Sequence, residues 1–420
     1  ADMAIENYRF DTNLDAAIRL DNPSIMSSNT EVSGSYIRLS DAHLRKDGQR
    51  SPKAWDASLV IDKGFFSLLS DDNRQSGDDV LDLFEVLGRS EASQLLGDST
   101  GSFEFDADVS SLAWIGVLFK QEHQTTIAGQ GTVGGTMELA AGMPAPGTDI
   151  RVESQELALN FLDYRSQGDG EVRLQVSEGG DNPDWNIRVD LEQADLKRQG
   201  ESEASIDQVN LALDALVEDV SLSRPPSQVT LDIDMPTARV KDMTLFNAFI
   251  PADSGLTMVG GTADLNAKIQ LRRNDADGRV QLRSSALEAD LDGTAIQADL
   301  AADVLIVDGV ARDMFFDISG STIRLDNVRV GGEKEDFDEE AWSALLELQK
   351  GETTWRKPFT LDVLAELTMS DSRPFVALFK NQEKILPRLL GGMLETEDIR
   401  GNAELHMTDK RIEVPLAKAT

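Results

Sequence analysis

Apolar and polar residues alternate with period two along most of the chain. Ala263, Leu265, Ala267, Ile269 and Leu271 share one phase, with Asp264, Asn266, Lys268 and Gln270 in the other. Val280 and Leu282 carry the same alternation, as do Ile296, Ala298, Leu300, Ala302, Val304 and Ile306, and earlier Val172, Leu174 and Val176. Successive side chains of a strand point to opposite faces, so each run predicts a half-buried strand with one polar face. Between the runs stand Asp47-Gly48, Asp169-Gly170, Asp277-Gly278, Asp292-Gly293 and Asp308-Gly309. Asp-Gly supplies the positive φ values of tight hairpins, so these pairs predict antiparallel turns.

Three stretches carry helical spacing instead. In 79–97, Val80, Leu83, Phe84 and Leu87 share a helical face, with Gly88 and Gly97 as C-terminal stops. In 333–350, Phe337, Ala341, Leu345 and Leu348 form a stripe behind an acidic first turn, and Lys350 closes the end. The third, 373–394, is interrupted by Pro387. The rest reads as β.

One order of elements recurs. "LDIDM" near 231 leads through "KDMTLFNAFIP" to "GTADLNAKIQL", which opens on Gly261. "FEFDADV" near 103 leads through "SSLAWIGVLF" to "GTMELAAG", opening on Gly135, and "LDVLAELTM" near 361 leads through "SDSRPFVALFK" to "GNAELHM", opening on Gly401. Each copy is a strand, a short apolar crossing and a Gly-led strand, as in an array whose units stack in line. The expected organisation is a β repeat over 1–100 with the 79–97 insert, groove repeats over 101–228 and 229–358, and a partial repeat over 359–420. The predicted fold is mostly β: an elongated, curved antiparallel sheet with short crossing helices.

The strands are rich in Ala, Leu, Ile and Val on one side, and aromatic residues make up only 6% of the chain. Small aliphatics on a one-sided sheet line a trough without plugging it, and an unplugged apolar face calls for something to fill it. Lipid acyl chains suit this. At about 0.8 kcal/mol per buried methylene, a sixteen-carbon chain is worth roughly 12 kcal/mol. The candidate lining is Leu265, Ala267, Ile269, Leu271, Val280, Leu282, Ile296, Ala298, Leu300, Val304 and Ile306.

Charge narrows the partners. Forty Lys and Arg face 75 Asp and Glu, a net charge of -35 that repels nucleic-acid phosphates and anionic bilayers. There is no cysteine, which excludes disulfides and thiolate metal sites and suits an oxidising compartment. No run approaches the roughly 20 apolar residues of a membrane helix. Both ends fall in strand-like sequence, so the chain reads as part of something longer.

Catalytic patterns are missing. His43, His123 and His406 stand apart from obvious partners, and "NDADG" at 274–278 has Arg273 where a calcium loop needs its first ligand, so it reads as a hairpin. "GQGTVGG" at 129–135 lacks the GK[ST] and following helix of a phosphate loop. With no paired cysteine and no H-E-x-x-H, an enzyme is not expected, nor any cofactor or metal.

"LFNAFIPADSGLTMVGGTADLNAKIQL" followed by "GRVQLRSSALEADLDGTAIQADLAADVLIVDG" resembles the AsmA-like family of Gram-negative envelopes (TamB, YhdP and YdbH type). Its repeating β-groove is shared with bridge-like lipid-transfer proteins. The likeness is clearest over 229–330 and extends over 100–200 and 359–415. It implies a periplasmic hydrophobic groove, an inner-membrane anchor outside this chain, and phospholipid movement between inner and outer membrane. The alternative is an elongated envelope scaffold or adhesin-type protein with a closed core and no lipid.

Overall fold

The computed structural model describes the chain apart from residues 1, 6–7, 18, 20–29, 47–48, 51–53, 68–99, 113–125, 141–142, 162–163, 180–181, 199–203, 221–227, 251–253, 274, 311–312, 332–341, 356–358, 372–396, 409–411 and 420. The described chain is mostly antiparallel β-strand, with one 3-10 helix at Met243–Phe249. Its contacts divide into two units, residues 1–202 with 212–229 and residues 203–211 with 230–420.

In the first unit the strand Tyr8–Ala17 pairs with Tyr36–Lys46, and the pairing passes in turn to Trp55–Ser67, Thr100–Val109, Gly131–Ala140, Asp149–Phe161, Tyr164–Ser177 and Asp184–Arg198. Residues directly opposite in an antiparallel ladder share a face. One row therefore runs Ala16, Ile37, Leu59, Ala107, Val133, Val152, Val172, Val189, apolar at every strand it crosses. The second unit is built alike. Gln228–Val240 pairs with Ala263–Arg272, followed by Asp275–Leu291, Thr294–Ile306, Thr322–Gly331, Trp342–Thr354, Thr360–Asp371, Glu397–Thr408 and Ile412–Ala419. Here the row is Ala238, Leu265, Leu282, Ala302, Ile323, Leu346, Leu367, Gly401, Ala419.

Bulges keep these rows aligned. Ser154 and Leu157 flank an irregularity opposite Gly170 and Gly168, and Ser284 and Leu287 flank another opposite Leu300 and Ala298. Each serine hydroxyl accepts the backbone N–H two residues on, from Glu156 at 3.2 Å and Ala286 at 3.3 Å, fixing the extra residues of the bulge.

A second device recurs at 32–35 (VSGS), 145–148 (APGT) and 318–321 (ISGS). Ser35, Thr148 and Ser321 are buried, each just after a glycine of positive φ. Their hydroxyls accept the backbone N–H of Arg19, Glu138 and Leu305 at 2.9, 3.0 and 2.9 Å. The backbone carbonyl of the same residue accepts from the strand beyond the one that the turn opens, from Ile61, Val176 and Leu348. Each turn thus staples the preceding strand to the one after next.

Two sequence expectations are corrected. The predicted helix at 333–350 is a strand where the structure describes it: Trp342–Thr354 pairs on both sides, with 322–328 and 360–369. Trp342, Ala344, Leu346 and Leu348 also alternate, and two flanking strands override helical spacing in a chain that offers both. The helices expected at 79–97 and 373–394 lie outside the described residues.

Of the Asp-Gly pairs among the described residues, only Asp292-Gly293 is a hairpin tip, with φ of +51° and +83°. Asp169-Gly170, Asp277-Gly278 and Asp308-Gly309 lie inside strands, and Asp47-Gly48 is outside the described residues. The hairpin near 274 closes on the Arg272–Asp275 pair, with Arg273 at φ +57°. Gly278 faces Ile269 across the ladder, and a Cβ there would come within 2.4 Å of the Lys268 carbonyl oxygen. The glycine serves close strand approach, not a turn.

Candidate functional site

The registers place all eleven candidate residues on one face of the second unit. Leu265 stands opposite Leu282, Ala267 opposite Val280, and Leu271 opposite Ala276. Val280 stands opposite Val304, while Ile269 and Ile306 meet the same Gly278. Past the bulge, Leu300, Ala298 and Ile296 oppose Ser284, Leu287 and Ala289. Only the two alanines, Ala267 and Ala298, are buried; the nine larger side chains are half-buried. In a closed core the large aliphatics would be the covered ones. Here the row continues to Ile323, which is 36% exposed.

The face is covered locally by three clusters. Trp342, Val328 and Met369 close around Ala298 beside Ile296. Ile318, Leu348, Val363 and Ala365 gather near Val304. The third cluster is Val240, Met243, Ala263 and Leu287, against which Leu265, Leu282 and Leu300 pack together with Leu245 and Phe246 of the 3-10 helix. That helix is the crossing expected from "KDMTLFNAFIP". Asp242 caps it by accepting from Thr244 N at 2.8 Å, and Met243 N donates to Gly261 O at 3.0 Å. Asn247 ties it to the next strand by two bonds: Oδ1 accepts from Met258 N at 2.7 Å and Nδ2 donates to Met258 O at 2.8 Å.

The opposite face is charged. Arg279 and Gln281 reach Asp303 on the adjacent strand, the glutamine at 3.2 Å. In the first unit Arg173 and Gln175 hold Asp149 in the same way, with Arg173 Nε at 2.8 Å and Gln175 at 3.1 Å. The arginine hydrogen bond holds each carboxyl below the usual carboxylate range, partly opposed by burial, and the arginines are raised in turn. Arg151, Arg173 and Arg188 stand opposite one another beside the row Glu153, Glu171, Asp190, so bonds form diagonally, as between Arg151 and Glu171 at 2.9 Å. Two shallow depressions also open here, one around Gln281, Arg283 and Arg324 and one around Arg239, Asp264 and Asp299.

His406 is not isolated: it stands opposite Asp362 and its Nδ1 meets that carboxylate. His43 is half-buried within 4.0 Å of Asp41, and His123 lies outside the described residues. The described residues hold no group of three or more potential metal ligands, and no described helix is long and apolar enough to cross a membrane. "GQGTVGG" leads directly into the strand Gly131–Ala140.

The sequence reading missed the Asn247 clamp, the serine-held bulges and the stapled turns. Only the turns had a usable signal, the thrice-repeated [SP]-G-[ST]. No family model matches the chain, and no curated protein or solved structure matches it.

Proposed function

We propose that the apolar face of this sheet holds lipid acyl chains, and that the chain is a segment of an intermembrane phospholipid-transfer bridge in the periplasm. The observation that carries the reading is that, of the eleven predicted lining residues, the nine Leu, Ile and Val side chains are half-buried and only the two alanines are buried. Large aliphatics left part-open across successive strands gain free energy from an apolar occupant, and a chain of methylenes lying along the rows fits a face lined mainly by aliphatic side chains. The AsmA-like resemblance of 229–330 supplies the setting: inner and outer membrane at the two ends, and phospholipid as cargo.

The test separates the phases of the sheet. A photo-crosslinking residue at 267 or 298 captures phospholipid, and one at 266 or 297 does not. Mass spectrometry of organic extracts from the purified chain identifies the bound species. Equal capture from both phases, or none from either, defeats the reading and leaves the closed-core scaffold.

A further inference from the structure

We propose that the 3-10 helix Met243–Phe249 is a latch over the apolar face, held shut by Asn247 and opened to admit an acyl chain. The inference rests on the acyl-chain reading and adds its regulation. Met243, Leu245 and Phe246 pack into the same cluster as Leu265, Leu282 and Leu300, so the helix occupies surface that an acyl chain would otherwise cover. It is a short 3-10 segment, whose strained hydrogen bonds give it little stability of its own. Its first turn is fixed by Met243, 1% exposed, which donates to the Gly261 carbonyl beneath. The far end is different. Leu245 and Phe246 are only half-buried, and Asn247 supplies the two hydrogen bonds that join this end to Met258.

This asymmetry defines a hinge and a clasp. Met243 with its Gly261 contact is the hinge. Asn247 against the Met258 peptide is the clasp, and Leu245 and Phe246 are the surface that lifts. Because the latch and a lipid tail compete for one apolar patch, binding of a tail stabilises the open form by its differential affinity for it. Residues 265, 282 and 300 are then under the latch, whereas Ile269 and Ile306, which belong to none of the three clusters, are outside it.

The chain has no cysteine, so single reporters can be placed cleanly. Bimane is attached at Leu282→Cys, beneath the latch, or at Ile306→Cys, beyond it, and quenching by doxyl-labelled stearic acid is followed. In the otherwise unaltered chain the probe quenches at 306 and weakly at 282. Asn247→Ala removes both clasp bonds and raises the unlatched population roughly tenfold, so quenching at 282 rises to the level at 306 while that at 306 is unchanged. Asn247→Asp keeps the bond accepted from Met258 N and gives an intermediate rise. Hydrogen exchange of 243–250 checks independently of lipid that each variant is folded and that the segment has opened. Equal quenching at 282 with and without Asn247, despite faster exchange, overturns the latch. Quenching at neither position in any variant overturns the acyl-chain reading itself and the latch with it.

Discussion

The segments 100–157 and 228–287 build one junction twice with little sequence in common. In the first, Val109 ends a strand opposite Gly131, Leu112 follows fully buried, and its N–H donates to Gly129 O at 2.7 Å. In the second, Val240 ends opposite Ala263, Met243 follows, and its N–H donates to Gly261 O. Both glycines are left-handed, at φ +130° and +110°, and both lie against the bulge held by Ser154 or Ser284. What repeats is a set of backbone constraints: a buried anchor, a glycine of positive φ and a serine-held bulge. The residues between are free to differ.

The buried anchors make the sharpest comparison. Leu112→Ala and Met243→Ala each remove a side chain at most 1% exposed, and each is expected to destabilise its unit by about 3 kcal/mol. Urea unfolding of the two variants should give similar losses. A large loss at Leu112 with almost none at Met243 would break the equivalence and identify the second crossing as dispensable to the sheet.

The glycines come next. A Cβ on Gly129 would lie 2.6 Å from the Glu156 carbonyl oxygen, and one on Gly261 would lie 2.4 Å from that of Ala286. Added to the cost of the left-handed region for a residue with a Cβ, Gly129→Ala and Gly261→Ala should each destabilise by about 2 kcal/mol. Thermal melts of the two variants check this. Tolerance at either site would show that the crossing there can shift away from the bulge.

This comparison also marks what could be read from the sequence. Alternation alone put Leu265, Ile269 and Leu300 in one phase, because burial of one face imposes a period of two whichever strands become neighbours. The crossing at 243–249 was legible as apolar residues between two strands, and Gly261 as the opening of the second. In the first copy the glycine at the junction is Gly129, and Gly135 lies further along inside the strand Gly131–Ala140. Three Asp-Gly pairs were misread as turns because a glycine needed for close strand contact looks the same in sequence as one needed for positive φ. Leu345 and Leu348 mimicked a helical stripe, and only the partners at 322–325 and 360–369 decide for the strand. The Asn247 clamp was illegible, since its partner is a backbone peptide and leaves no side-chain signature.

The smallest expected effect compares the polar faces. Asp149 and Asp303 carry the same Arg-and-Gln grip, and both carboxyls are held below their ordinary range chiefly by the arginine hydrogen bond. A carboxyl whose folded pKa is depressed binds its proton more readily when unfolded. Its stabilisation is therefore complete above the unfolded value of about 3.9 and is lost as pH falls through the lower folded value. Asp149→Asn and Asp303→Asn should accordingly be less stable than the unaltered chain at pH 7, with the gap unchanged down to about pH 5 and closing below about pH 4. Salt should shrink the gap at neutral pH, because both arginines stand at the surface. Urea midpoints for the two variants and the parent across this range make the measurement. Asp149 also feels Arg151, and Asp303 feels Arg283, so a common pH profile would show that the local grip dominates in both units. A gap that persists undiminished below the folded value in one unit would mean that its aspartate contributes through packing and neutral hydrogen bonding, and that the two polar faces, alike in residues, differ in what holds them.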